Sequence, residues 1–402
     1  MTNAIDVAIV GAGPYGLSLA AHLDGLGVSH RIFGKPLDTW RNHMPRTMLL
    51  KSEGLASSLS SPKAGSRLDD YCAAHGLEFQ DHDLPVSLDR FNAYATYFAE
   101  RFVPQLENTM VTGLARAGEG FALTLATGEQ LFARKVVLAV GITAFAYTPE
   151  VLAGLGDKVT HSFAHRDGEM LKGKDVVVLG AGASAIDTAA LLDECGAKVR
   201  ILARTPVVRY HTPPDGAGDT FFKSLQKPQT GIGPGWRSFF CTNMPLMFHK
   251  LPESIRLRAT RTHLGPAPGW FMRKRIEGRV PTLLSRSLEH AELKDGRVSL
   301  SVSTGETLTC EHVVSATGYR PDVDRLGWVS ADLRAGIDTV EKTPVLTDNF
   351  ETSVRGLYFM GPAAANSFGP LMRFMVGSEF AAPRLAGHLH RRLGGASERR
   401  AA

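Results

Sequence analysis

The chain begins with an apolar, β-branched run, Val7-Ala8-Ile9-Val10, which breaks at Gly11-Ala12-Gly13-Pro14-Tyr15-Gly16 and resumes as the Ala/Leu-rich stretch Leu17–Leu23. The run predicts a buried strand, the Gly/Pro cluster a turn and the stretch a helix. The same succession returns at Val176-Val177-Val178-Leu179, Gly180-Ala181-Gly182-Ala183-Ser184-Ala185 and Ile186–Leu192. Each turn is followed, at a similar offset, by a second apolar run that ends in glycine. These are Val136-Val137-Leu138-Ala139-Val140-Gly141 and Val313-Val314-Ser315-Ala316-Thr317-Gly318. A repeat on this scale predicts two related α/β units rather than a solenoid.

Shorter alternations fill the space before each return strand. Phe121–Leu125 and Leu131-Phe132 flank Thr127-Gly128-Glu129, and Val298–Val302 precedes Thr304-Gly305-Glu306, so each unit is expected to carry an inserted β-hairpin. Leu357-Tyr358-Phe359-Met360-Gly361-Pro362 reads as the last strand of the first unit, and Ser367–Phe374 is expected to open a helix whose N-terminus, with Phe368, Gly369 and Leu371, faces a cofactor. Residues 206–282 keep neither period and are rich in Pro, Gly and aromatics, including Pro213-Pro214, Trp236 and Trp270-Phe271; Met244–Leu257 reads as partly helical. An insertion of that kind is where a lid or substrate pocket is expected. The basic tail Arg391–Ala402 is expected to be disordered.

The expected fold is therefore α/β, with two nested Rossmann-like dinucleotide-binding domains of the three-layer ββα type and inserted β-hairpins. The expected boundaries are 1–160 for the first part of one domain, 161–320 for the second domain with its insertion at about 206–282, and 321–402 for the return to the first.

The turns carry the chemistry. In Gly-x-Gly-x-x-Gly the first glycine allows the tight turn, the second lets backbone approach a pyrophosphate, and the third lets helix and strand pack closely. The free N–H groups and dipole of the helix then favour the phosphates. Gly11, Gly13, Pro14, Tyr15 and Gly16 are thus expected to bind one dinucleotide. Gly180, Gly182, Ala183 and Ser184, with Ala185 in place of the third glycine, are expected to bind another. Two dinucleotides on one chain indicate a flavoprotein fed by a nicotinamide, and the turn that begins the fold is assigned to FAD. The following strand, His30–Lys35, has Gly34 and Lys35 where an acid usually holds the ribose. Lys35, Trp40, Arg41, Gly141 and Gly361 are further candidates around the flavin. In the second unit the corresponding strand ends at Arg204-Thr205. An arginine fork suits a 2′-phosphate, which an acid would repel, so NADPH is expected rather than NADH. Thr317, Gly318 and Tyr319 end the second return strand beside that cofactor. Lys51 stands among leucines, where an unpaired cation is costly to bury. Lys51 and Ser52 are the candidate catalytic residues.

Composition narrows the classes. With 402 residues, 44% hydrophobic and 21% charged, the chain is an ordinary globular protein of two or three domains. A net charge of +5 is modest, and Arg273-Lys274-Arg275 lacks interleaved aromatics, so no nucleic-acid partner is expected. The four cysteines are scattered without a CxxC pair and the histidines form no HExxH, so neither a redox disulfide nor a metal site is expected. No apolar run is long enough for a membrane span, and no basic segment precedes the first strand, so a cytoplasmic location is expected.

With these motifs the chain resembles the class B flavin monooxygenases, and among them the lysine/ornithine N-hydroxylase branch. Ala316-Thr317-Gly318-Tyr319 is similar to that branch's ATGY motif, and Leu49-Leu50-Lys51 to the segment that places a lysine near substrate and NADPH. The linker motif FxGxxxH is present only in part, as Leu155-Gly156-Asp157-Lys158-Val159-Thr160-His161-Ser162. The continuation Phe163-Ala164-His165-Arg166 lacks the tryptophan of Baeyer–Villiger enzymes. The resemblance implies that NADPH reduces FAD, that a flavin C4a-hydroperoxide forms with O2, and that a small amine or amino acid is N-hydroxylated. S-oxygenation, Baeyer–Villiger oxygenation and an NADPH-dependent reductase without oxygen insertion are the alternatives, with a non-catalytic nucleotide sensor beyond them. A small-molecule substrate and O2 are the expected partners, and assembly into a homo-oligomer is left open.

Overall fold

A computed structural model describes residues 4–212 and 226–401, without side chains from 395 onward. Pro213-Pro214 lies outside the described residues. Ile5–Val10 (β1) has its last four residues buried, because it lies between two parallel neighbours. The glycine turn leads into the helix Pro14–Gly25, and His30–Phe33 (β2) returns beside β1. After the helix Leu88–Phe102 come Val111–Ala117 (β3), Gly120–Leu125 (β4) and Gln130–Leu138 (β5). The expected hairpin is therefore an antiparallel meander of three strands. Its last strand runs on into the parallel sheet, in the order β2-β1-β5-β4-β3, with Leu357–Phe359 paired to β5.

The second unit repeats the plan. Val159–His161 (β6), Asp175–Leu179 (β7), Lys198–Leu202 (β8) and Thr282–Leu283 (β9) join a parallel sheet. Leu288–Lys294 (β10), Arg297–Val302 (β11) and Thr307–Cys310 (β12) form a separate antiparallel sheet before His312–Ser315 (β13) enters the order β6-β13-β7-β8-β9. The helix Ala183–Glu194 covers this sheet through Ile186, Ala189, Ala190 and Leu192.

The recurrence of the return strands has a steric cause. A Cβ on Gly11 would lie 2.2 Å from the carbonyl oxygen of Ala139, and a Cβ on Gly180 would lie 2.6 Å from that of Ala316. Both glycines have positive φ, 118° and 133°. Each turn is thus folded directly onto its own return strand, at the same alanine of the VVxAxG run.

Two expectations change. The tail is helical: Ser378–Ala401 forms one helix. Its residues Ala381, Ala382, Leu385, Ala386, Leu389 and Leu393 are buried at helical spacing, and the helix packs against Pro14–Gly25. That apolar stripe carries the basic segment along with it. The helix expected from Ser367 also begins later. Ala365–Phe368 is a single short turn that stops at Gly369, whose φ is 89°, and 3₁₀ turns follow before Ser378. The insertion contributes the helices Trp236–Asn243, Pro245–His249 and Glu253–Thr262, in line with the partly helical reading of Met244–Leu257.

Candidate active site

The first turn is an open cradle. A Cβ at Gly13 would meet nothing within 4 Å, whereas one at Gly16 would lie 1.9 Å from the carbonyl oxygen of Gly11. Pro14 occupies the first helical position, where a missing N–H costs nothing. The cradle and the helix N-terminus fit a pyrophosphate. Tyr15 faces the other way. Its hydroxyl is shared between the carbonyls of Phe374 at 2.8 Å and Met372 at 3.1 Å, and burial pushes its pKa up, so it stays neutral. The ring lies against Gly361, and a Cβ on Gly377 would strike the hydroxyl. Tyr15 therefore fastens the segment before the C-terminal helix to the first turn.

Other flavin-side candidates are placed unevenly. Lys35 is exposed, Trp40 packs on Phe91 with ring centroids 4.7 Å apart, and the Arg41 guanidinium donates to Thr96. Gly141, at φ 67°, follows the first return strand beside Thr39. Phe368 is buried between Phe350 and His249, Leu371 is buried, and a Cβ on Gly369 would lie 3.0 Å from the Phe248 ring. An acid does arrive beside β2 from elsewhere in the chain. The backbone of Glu107 pairs with Phe33 and accepts from the Gly34 N–H at 3.1 Å. Its carboxylate is clasped by Arg31 at 2.6 and 2.7 Å.

In the second turn Ala185 replaces a glycine without conflict, since its Cβ lies 3.5 Å from the position a Gly180 Cβ would take. Arg204 is exposed, and no carboxylate among the described residues pairs with it. Thr205 is braced by Ser285, whose N–H donates to its carbonyl at 3.0 Å. Gly182 and Ala183 lie under the segment Leu264–Pro268, and the Ala183 N–H donates to the Pro266 carbonyl at 2.6 Å. Ser184 follows in the first turn of the helix.

Lys51 reaches from the first unit to the second. Its ammonium donates to Leu49 O at 3.1 Å and forms an ion pair with Asp187, in the helix behind the second turn. The other Asp187 oxygen is buried without a partner. Burial raises the pKa of Asp187, and Lys51 opposes that rise. His211 is held below its usual pKa by burial first and by Lys51 next. Ser52 is spent on Ser57, 2.8 Å away. Asp187 was missed by motif reasoning, although an acid among the alanines of an otherwise buried helix was its signal.

The ATGY segment joins the units. Tyr319 pairs with Ala146, the Tyr147 N–H donates to Gly318 O at 2.9 Å, and the Thr317 hydroxyl donates to Tyr147 O. His161 donates from Nε2 to Gly318 O at 3.1 Å and packs edge-on to Tyr319. Burial holds His161 below its ordinary pKa and pushes Tyr319 up to about 12. The histidine of the partial linker motif and ATGY are thus two sides of one crossing.

Residues 8–215, from the first turn through the second, match the pyridine nucleotide-disulphide oxidoreductase family. The chain belongs to that family. Over most of its length it is similar to the indole-3-pyruvate monooxygenase YUCCA1 of Oryza sativa subsp. japonica, at 26% identity over 368 residues that cover 83% of this chain and 81% of that protein. Two solved structures share the fold from end to end. One is the ornithine hydroxylase PvdA from Pseudomonas aeruginosa, with TM-score 0.77, 17% identity and coverage of 97% and 100%. The other is the bacillithiol disulfide reductase from Staphylococcus aureus, with TM-score 0.67, 18% identity and coverage of 98% and 99%. The resemblance to class B flavin monooxygenases is met by the family, the relatives and the fold. As a member of this family the chain is an oxidoreductase with a flavin and a pyridine nucleotide as cofactors. Its four cysteines are free thiols in separate elements, three of them buried. Among the described residues no His/Cys/Asp/Glu group is placed to hold a metal ion, and no helix is long and apolar enough to cross a membrane.

Proposed function

We propose that this protein is an FAD- and NADPH-dependent monooxygenase that N-hydroxylates a small amine or amino acid. In this reading the chain divides at 1–160, 161–320 and 321–402, with FAD on the first and third parts and NADPH on the second; β6 (Val159–His161), which belongs to the second sheet, lies across the first boundary. The observation that carries the reading is Lys51: a cation from the flavin unit is held at the second turn by a buried aspartate. Bound FAD, reduced by the nicotinamide, supplies the activation of O2. The residues present bind, orient and exclude water. The amides behind Gly13 and Gly182 take the pyrophosphates, Arg204 takes the 2′-phosphate, and Lys51 offers positive charge where the two units meet. The whole-chain likeness to an ornithine hydroxylase supports a nitrogen nucleophile.

The sequence relatives favour a second reading, oxygenation of a 2-oxo acid, since indole-3-pyruvate names their substrate. Disulfide reduction is disfavoured because no two cysteines are paired or adjacent. The test is product analysis with purified, flavin-loaded protein, NADPH and O2 against small amines, 2-oxo acids and sulfides. An N-hydroxylated product coupled to NADPH consumption is expected. A decarboxylated 2-oxo acid would move the assignment to the second reading, and hydrogen peroxide alone with every substrate would overturn both.

A further inference from the structure

The two glycine turns differ in one respect that their sequences do not announce. The first faces open space at Gly13, while the second is covered by chain. Leu264–Pro268 leaves the helix Glu253–Thr262 without regular structure and crosses the start of the helix Ala183–Glu194. The Pro266 carbonyl accepts the Ala183 N–H at 2.6 Å, and Ala183 is the first residue of that helix. A Cβ on Gly182 would lie 3.1 Å from the same oxygen and 3.2 Å from the proline ring. No side chain caps this helix. The carbonyl therefore serves as its acceptor, at the point where a dinucleotide turn presents N–H groups to a pyrophosphate.

We propose that Leu264–Pro268 is a self-occupying strap: its Pro266 carbonyl stands in for the pyrophosphate, and the strap lifts when a nicotinamide dinucleotide binds. This rests on the reading of the Gly180 turn as the nicotinamide site. A neutral carbonyl is a weaker partner for a helix N-terminus than a phosphate, so the ligand wins the exchange. Gly265 and Pro266 are exposed, while Pro268 at the end of the strap is buried. What holds the strap is the flavin unit. Arg373, in the 3₁₀ turn after Gly369, donates from Nη2 to the carbonyls of His263 at 2.7 Å and Leu264 at 3.1 Å. At the other end the His211 N–H donates to Pro268 O at 2.9 Å. Arg373 is thus a positioning residue for the gate. The apparent affinity for the nicotinamide is lowered by the fraction of molecules whose strap is closed.

The test uses full-length, flavin-loaded protein titrated with NADP⁺ by calorimetry, together with hydrogen exchange of the peptide spanning Leu264–Pro268. Arg373→Ala is expected to bind NADP⁺ about tenfold more tightly, the low end of the weight of a charge-assisted hydrogen bond after exchange with water, as suits an exposed group. Pro266→Gly, which loosens the strap without touching the flavin unit, is expected to move in the same direction, and it stands alone if Arg373→Ala does not fold. In the wild-type protein, saturating NADP⁺ is expected to speed exchange in the strap while the Ala183 amide stays protected. Unchanged or weaker binding in both variants, or strap exchange indifferent to NADP⁺, overturns the strap and leaves the nicotinamide site standing. Failure of all forms to bind either NADP⁺ or NAD⁺ overturns the site and the strap together.

Discussion

At the scale of single residues, the Lys51–Asp187 pair is the sharpest feature. The Lys51 side chain is 19% exposed and that of Asp187 4%, so both charges are largely out of water. Removing one partner leaves the other buried and uncompensated, at a cost of about 3 kcal/mol. Asp187→Leu alone is therefore expected to lower Tm by several degrees, and the double variant Lys51→Met/Asp187→Leu to recover most of that loss. If the pair serves turnover as well as packing, the double variant stays slow in NADPH-dependent flavin reduction although its Tm has returned. Stopped-flow reduction beside a melting curve reads both, and a double variant with full activity would reduce the pair to packing. Arg204 makes an independent prediction. Its guanidinium has no carboxylate partner among the described residues, so Arg204→Ala removes little from the fold. It is expected to weaken NADPH binding roughly tenfold or more and leave NADH unchanged. Equal losses for the two nucleotides, measured by titration, would remove its 2′-phosphate role.

At the scale of elements, the two strand–turn–helix repeats were legible because their cause is local. An apolar run, a glycine that must fold onto the next strand and an Ala/Leu helix are all visible in consecutive residues. The glycine contacts make this quantitative. A Gly16 Cβ would meet Gly11 O at 1.9 Å, whereas the second turn has room for Ala185. Gly16→Ala is accordingly expected to lose flavin and stability together, by about 3 kcal/mol or more. Ala185→Gly should cost only about 1 kcal/mol of helix propensity. Flavin absorbance per chain and Tm check both, and a Gly16→Ala protein that stays fully yellow would contradict the packing argument. What was not legible depended on distant chain. Asp187 as the partner of Lys51 is brought there by the crossing of units, while Glu107 beside β2 and the Pro266 carbonyl on Ala183 are brought there by long connections within one unit, and no local period reports any of them. The late start of the C-terminal helix has the same origin. Gly377 is pinned by Tyr15, a residue from the other end of the chain.

At the scale of the whole molecule, stability against acid follows from a network that belongs to no cofactor. The Thr160 hydroxyl, in β6, lies 2.6 Å from His165 Nε2 and 2.8 Å from His312 Nε2. One hydroxyl proton serves one ring only, so Thr160 donates to one imidazole and accepts from the other, and the two rings hold opposite tautomers at Nε2. Both histidines are buried, at 1% and 5% exposure, and burial pushes each down to about 4. Asp167 raises His165 slightly, while Lys174 and Lys158 add to the depression of His312, and Asp157 opposes it. Above pH 6.5 the rings are neutral in folded and unfolded chains alike, and the network carries no penalty. As pH falls from 6.5 towards 4, the unfolded chain binds protons that the folded chain refuses, and stability falls; below 4 both states are protonated and the loss stops. Each ring contributes on the order of 3 kcal/mol as an upper bound, less where the two are coupled. The raised carboxyl of Asp187 works in the opposite sense, gaining stability as it protonates, so it offsets part of the fall. Melting curves at pH 7.5 and pH 5 should therefore show a marked drop in Tm for the wild-type protein. His312→Gln keeps a hydrogen-bonding group opposite Thr160 but cannot titrate, and it should shrink the drop by about half. A drop unchanged in that variant would mean that acid acts elsewhere, and that β6 and β13 are held together without regard to the charge on their histidines.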